Sequence, residues 1–406
     1  MRLTAISLFS GVGGLDFGFE AAGFETAVAL DLDPIACRTM RLNRPWPVIE
    51  GDLGPIPTGR LLGAAQVKPG EADVLIGGPP CQPFSKSGYW AKGDVARLDD
   101  PRADTLTHYL RVLRDAQPRA FLIENVPGLA YRGKSEAIEA LRRGIDQINN
   151  ATGARYSFAY QVLNAAEFGV PQLRERLFIV GARDGTEFRF PPPTHSEDPS
   201  LLHLEPYRTA WDAIGDLPPD PNTPELRMTG KWADLLRTIP EGQNYLWHTD
   251  RGGGEPLFGW RRRYWSFLLK LAKDRPSWTI QAQPGPATGP FHWRNRKLSA
   301  AELGRLQTFP DGLAYDCGRN DVQRLIGNAV PSALAEMLAL EIRRQLLRTT
   351  RSDAALRLLP PRREDRPGPE PIANVPAKYL DLVGDHDAHP GTGKGWRALA
   401  RTLEAA

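Results

Sequence analysis

The sequence predicts an α/β protein: a sheet of mostly parallel strands covered by helices, followed by a smaller, loop-rich second domain. Three observations carry this. Short apolar runs alternate with amphipathic stretches through the first half of the chain, the pattern of strand–helix–strand units. Proline clusters at 191–195 (PPPTH) and 218–224 (PPDPNTP) mark where the chain leaves the sheet domain. Helical periodicity then returns at Leu298–Thr308 and at Ser332–Arg348, where apolar residues recur at three and four.

Taken in order, Ala5–Phe9, Thr26–Leu30, Val48–Ile49, Val74–Ile76 and Ala120–Ile123 are brief apolar runs of the kind buried on both faces of a sheet. Tyr156–Leu163 and Arg176–Gly181 add two further strands. Helices are expected over Leu15–Ala22, Pro34–Leu42, Thr105–Ala116 and Ser135–Asn149. The resulting division is 1–188 for the sheet domain, completed by 322–349, then 189–321 for the second domain. Residues 350–406, which contain RLLPPRREDRPGPEP, read as a linker and C-terminal extension with one short helix at Trp396–Leu403. GTGKG at 391–395 lacks phosphate-loop spacing, because Ala388 stands where the first glycine belongs.

The composition is that of a globular protein, 406 residues long and 41% hydrophobic. Cysteines at 37, 81 and 317 form no CxxC pair, so neither a disulfide framework nor a metal cluster is expected, and a reducing, cytoplasmic setting is. The N-terminus lacks a signal-peptide layout, and no run of about 18 apolar residues predicts a membrane span. Net charge is +3 but uneven: Leu226–Arg296 holds 12 Lys/Arg against 5 Asp/Glu, with six of the ten tryptophans. That segment reads either as a nucleic-acid surface or as a small Trp-rich core with solvated arginines.

Two loops carry chemistry. After the strand ending at Ile76 comes GGPPCQPFSKSG, which places Cys81 in a turn stiffened by Pro79, Pro80 and Pro83. A structural cysteine would sit inside the apolar run; one held in such a turn is a candidate nucleophile. The first strand runs directly into SGVGG and a helix, a turn that lets a ligand approach backbone amides at a helix N-terminus. The dinucleotide pattern GxGxxG fails, since residue 16 is aspartate. Asp31 and Asp52, each at the end of a strand, suit a ribose diol and an adenine amino group. An adenosine-bearing ligand without pyrophosphate, such as S-adenosylmethionine, fits; NAD is the competitor.

With these loops in hand, the sequence resembles the cytosine-C5 DNA methyltransferases. Six stretches carry the resemblance, in the family's order: FSGVGGLDFGFEAAGF at 9–24, GGPPCQPFS at 77–85, IENVPGL at 123–129, GVPQLRERLFIVG at 169–181, RKLSAAELGRLQTFP at 296–310 and IGNAVPSALA at 326–335. It implies a Rossmann-like S-adenosylmethionine methyltransferase sheet domain with a target-recognition domain. It assigns catalysis to Cys81, Glu124, Arg176 and Arg174, with Arg176 on the base and Arg174 in support. The cofactor falls to Phe9, Gly11, Gly13, Gly14, Asp31, Asp52, Asn328 and Val330.

Pro80, Gln82, Ser85 and Ser87 in the cysteine loop, and Arg262 and Arg263 in RRRYW, are candidate substrate contacts, with WRNR at 293–296 beside them. No metal is implied. Double-stranded DNA is the implied partner, bound by a monomer, with a cognate restriction or defence system alongside. A tRNA substrate and a catalytically silent DNA-binding relative are the alternatives. Two positions depart from the family: Asp31-Leu32 where glutamate and an aromatic are common, and Thr105 where leucine is usual.

Overall fold

A computed structural model describes residues 3–80, 104–130, 136–201, 203–218, 223–259, 265–349 and 355–384. The sheet contains β1 (Leu3–Leu8), β2 (Phe24–Asp31), β3 (Val48–Glu50), β4 (Val74–Gly77), β5 (Ala120–Asn125), β6 (Ser157–Asn164) and β8 (Glu175–Ala182), with β7 (Gln172–Leu173) just before β8. Its order is β3-β2-β1-β4-β5-β8-β6. The first five strands are parallel; β8 lies antiparallel between β5 and β6. All seven strands expected from the sequence are present, and the α/β class holds.

The helices are α1 (Gly14–Ala21), α2 (Pro34–Asn43), α3 (Thr58–Ala65), α4 (Asp104–Ala116), α5 (Glu136–Thr152), α6 (Ala210–Ile214), α7 (Ala300–Leu306), α8 (Arg319–Asn328) and α9 (Ser332–Gln345). The sequence reading passes over α3, whose run TGRLLGAA contains two glycines that weaken helix propensity; burial of Leu61, Leu62 and Ala65 holds it. It also passes over α8. Residues Arg319–Gln345 are long and apolar enough to cross a membrane, but 78% of that window is buried inside the protein, and the stretch is divided into α8 and α9.

One face of the sheet buries Leu15 and Phe19 of α1 against Leu334, Leu338 and Ile342 of α9. The other packs against α3, α4 and α5 through Leu61, Tyr109, Val112, Leu141 and Ile145. The α1–α9 crossing needs a residue without a side chain at position 18. A Cβ on Gly18 would stand against the Ser332 carbonyl oxygen and 2.5 Å from the Ala335 Cβ. We expect Gly18→Ala to force the helices apart and cost ~1–3 kcal/mol, read as a lowered denaturant midpoint.

The second half does not separate cleanly at 189 and 321. Leu303, Leu306 and Phe309 share a core with Val12 and Phe17 of the first motif, and with Leu325 and Ile326 of α8. A smaller core gathers Leu235, Leu236, Ile239, Tyr245, Leu257, Leu268 and Phe291. Trp232 and Trp247 pack on that core, so for these two tryptophans the core reading is correct. The stretch read as a linker is, over its described part 355–384, packed along the protein: Leu356, Leu358 and Leu359 lie on the sheet-domain core, and Tyr379 is buried in the small one. The 391–395 glycine run and the helix expected at 396–403 lie outside the described residues.

Candidate active site

An antiparallel strand delivers its first residues to the edge where its parallel neighbours end. β8 does this here: Leu177 pairs with Asn125 and Phe178 with Glu124, so Arg176, the second residue of β8, stands where β5 closes. β4 ends at the same edge, Gly77 pairing with Ile123. The chain then passes through Gly78, Pro79 and Pro80 toward Cys81. A Cβ on Gly78 would lie 3.0 Å from Glu124 Oε2, so the backbone of this loop runs directly over that carboxylate. Asn125 Nδ2 donates to the Pro79 carbonyl at 3.0 Å, and Thr105 Oγ1 to that of Pro80 at 3.2 Å. Both brace the entrance to the cysteine loop, which gives the departure at Thr105 a use.

Glu124 and Arg176 form a close pair, Nε to Oε1 2.9 Å, with side chains only 11% and 16% exposed. Burial opposes charge on both. It pushes the Glu124 carboxyl above its ordinary range, the pull of Arg176 and Arg174 only partly offsetting it, and it lowers Arg176. The site therefore holds a carboxyl biased toward keeping its proton beside a guanidinium fork.

Arg174 points elsewhere. Fully buried, it donates to the carbonyls of Ile280 at 3.3 Å, Gly327 at 2.7 Å and Ala329 at 2.8 Å. It ties the strand bearing Arg176 to the second half of the chain and supports the site from behind. Gln172, buried beside it, does the same: Nε2 donates to the Leu306 carbonyl and to Gln307 Oε1, both at 3.2 Å, and Oε1 accepts from Ile280 N at 3.1 Å. The sequence reading gave Gln172 no role; its only sequence signal is its place two residues before Arg174 in QLRER.

Of the residues expected at the cofactor, Phe9, Gly11, Gly13 and Gly14 follow β1 and Asp31 ends β2, while Asp52 follows β3 and Asn328 ends α8. Phe9 and Gly11 take left-handed backbone angles, φ 53° and 54°, and Gly13 caps α1 at φ 89°. Open space lies where a Gly11 side chain would stand. Asp31 accepts from Gly11 N at 2.7 Å and Asp33 N at 2.8 Å, and burial raises its pKa. It thus shapes the glycine turn, with lone pairs remaining for a diol. Asp33 caps α2 and pairs with Arg324 of α8.

Leu32 is 67% exposed beside the turn, Asp52 is exposed and accepts from Gly54 N, and Asn328 is exposed at the end of α8. Val330 is buried, its backbone against Gly14. A glycine turn with open space at Gly11, two strand-end carboxylates and an exposed apolar side chain suit an adenosine bearing no pyrophosphate.

Cys81, Gln82, Ser85, Ser87, Arg262 and Arg263 lie outside the described residues. The WRNR expectation needs correction. Trp293 is 2% exposed, and Arg296 is buried in a two-bond pair with Glu302, Nη2–Oε1 2.6 Å and Nη1–Oε2 2.8 Å. Desolvation penalises an unpaired buried charge, so this arginine is held inside; only Arg294 of the four is exposed.

The profile of the C-5 cytosine-specific DNA methylases matches residues 3–344. The chain belongs to that family. This methylase is 43% identical over 373 residues to the Type II methyltransferase M.SacI of Streptomyces achromogenes, covering 85% of this chain and 94% of that protein. It is 47% identical over 249 residues to the Type II methyltransferase M.AquIA of Picosynechococcus, covering 58% of this chain and 98% of that protein. Among solved structures, the methyltransferase EhMeth of Entamoeba histolytica superposes with a TM-score of 0.57 at 16% identity, covering 85% of this chain and 99% of that one, a likeness of fold. The methylase transfers a methyl group from S-adenosylmethionine to C5 of cytosine in DNA. The tRNA and silent-relative alternatives give way to this assignment.

Proposed function

We propose that the methylase works by covalent catalysis from Cys81. Cytosine C5 is a poor nucleophile. Addition of the Cys81 thiolate to C6 turns C5 into an enamine carbon able to accept a methyl group, and charge moves toward N3, where Glu124 holds the proton. Loss of the C5 proton and departure of the thiolate then restore the ring. Arg176 orients Glu124 and offers its fork to the cytosine O2; Arg174 acts by positioning. S-adenosylmethionine supplies the methyl group, and Phe9, Gly11, Gly13, Gly14, Asp31, Asp52, Asn328 and Val330 are the residues that would hold it.

The single observation carrying this reading is the buried Glu124–Arg176 pair beneath the loop that leads to Cys81. Because C5 and C6 are stacked inside a duplex, the base must be flipped out, with Pro80, Gln82, Ser85 and Ser87 closing on it. Target choice falls to the 189–321 segment, Arg262 and Arg263 included, acting from a monomer on double-stranded DNA. The Type II names of its relatives support a modification role beside a cognate restriction enzyme in the cytoplasm.

The test is base-resolution methylation sequencing of DNA from a methylation-deficient bacterial host expressing the protein. A recurring 5-methylcytosine in one short motif, absent with Cys81→Ala, is expected. Methylation persisting in that variant would remove Cys81 from the mechanism.

A further inference from the structure

The family match ends at residue 344, yet the chain beyond it is bound to the protein at successive points. Glu336, 1% exposed on α9, accepts from the backbone N–H groups of Arg357 at 2.9 Å and Leu358 at 3.0 Å. Arg208 Nη1 donates to the Pro360 carbonyl at 2.6 Å. Asp212 Oδ1 takes the Arg363 N–H at 2.8 Å, while the Arg363 guanidinium reaches Asp216 at 2.8 Å. Glu241 Oε1 takes the Glu370 N–H at 2.8 Å, and Lys273, itself paired with Glu241 at 2.6 Å, donates to the Gly368 carbonyl at 3.0 Å. At the far end Tyr379 is 2% exposed in the small core, stacked on Trp232 at 5.8 Å and 17°, with its hydroxyl donating to the Lys231 carbonyl at 2.7 Å.

Two features separate this from a tail resting on a surface. Three carboxylates, two on helices and one in a turn, accept backbone N–H groups of the segment. An extended backbone otherwise leaves such donors to water, so the protein has provided acceptors for them. The segment also joins two cores: Leu356, Leu358 and Leu359 belong to the sheet domain, Val375, Tyr379 and Leu382 to the small core of the second half. The two cores are thus joined by chain at a set spacing.

We propose that residues 355–384 form a strap fixing the orientation of the small core relative to the catalytic edge, with Tyr379 and Arg363 as positioning residues for DNA. This rests on the recognition role proposed above for 189–321. A shift of about 1 Å in such a scaffold misplaces base-edge contacts without touching the cofactor turn.

The test uses the full-length protein carrying Tyr379→Ala, Tyr379→Phe or Arg363→Ala. Steady-state methylation of DNA bearing the mapped target is measured together with calorimetric binding of S-adenosylhomocysteine. Tyr379→Ala is expected to raise the KM for DNA at least tenfold, with kcat within about threefold of wild type and the S-adenosylhomocysteine Kd within twofold. Tyr379→Phe, which keeps the stacked ring, should recover most of the loss, and Arg363→Ala should raise the KM three- to fivefold. If Tyr379→Ala does not fold, Arg363→Ala decides alone. Unchanged KM for DNA, or parallel losses in cofactor binding and kcat, would overturn the strap. Wild type that does not bind target DNA would instead overturn the recognition reading beneath it.

Discussion

Replacing Cys81 by alanine is expected to abolish methyl transfer, leaving at least 10³-fold less activity than wild type, while the protein still binds its target DNA. Neither of the two described cysteines can substitute. Cys37 is buried and its thiol is pushed up to about 12, and burial raises Cys317 as well, so neither offers a thiolate at neutral pH. The covalent step has a signature of its own. DNA with 5-fluorocytosine at the target should become bonded to the wild-type enzyme, because fluorine cannot leave C5 as a cation and elimination stalls. A band surviving denaturation, dependent on Cys81 and on S-adenosylmethionine, is the expected result. Turnover of ordinary DNA by Cys81→Ala, or no adduct at a mapped site, would contradict addition at C6.

The second large effect belongs to Glu124. Glu124→Ala should lower kcat roughly 10²–10⁴-fold, about 3–5 kcal/mol of barrier, the range for loss of a positioned general acid. It would also leave the Arg176 guanidinium buried without its partner, so a loss of stability should accompany it. Glu124→Gln keeps a hydrogen-bond donor but no transferable proton, and should fall between alanine and wild type.

The pH profile separates these roles. If the protonated carboxyl is the working form, single-turnover rate falls on the alkaline side at a pKa that burial has raised. Arg176 pulls that pKa down, so Arg176→Ala should move the alkaline limb to higher pH while lowering the rate at its plateau. Glu124→Gln should lack the limb. A limb that stays put in both variants would assign the ionisation to another group.

Much of this was legible in one dimension because it is local. A strand or an amphipathic helix is written in the period of its own residues, and all seven strands could be placed. The cysteine loop, the glycine turn and the acids at strand ends are likewise contiguous motifs whose residue types follow from their chemistry. Glu124 is the clearest case: its glutamate closes an apolar run, and its burial follows from that run entering the sheet.

What escaped the sequence depends on partners far along the chain. Arg174 and Arg176 stand two apart in QLRER, yet one is paired with Glu124 and the other donates to carbonyls 106 to 155 residues away. Trp293 and Arg296, with the composition of a DNA contact, are interior because Trp293 joins the core of Leu303, Leu306 and Phe309 and Glu302 supplies Arg296 with a buried countercharge. RLLPPRREDRPGPEP has the composition of a free linker; acceptors on Glu336, Asp212 and Glu241, with Leu358 and Leu359 packed on the sheet-domain core, make it part of the folded protein. The sequence alone determined which chemistry the methylase carries out, because reacting groups are specified by type and short-range order. Which side of each charged or aromatic residue faces solvent was decided by tertiary structure, since desolvation and pairing depend on neighbours that only folding brings near.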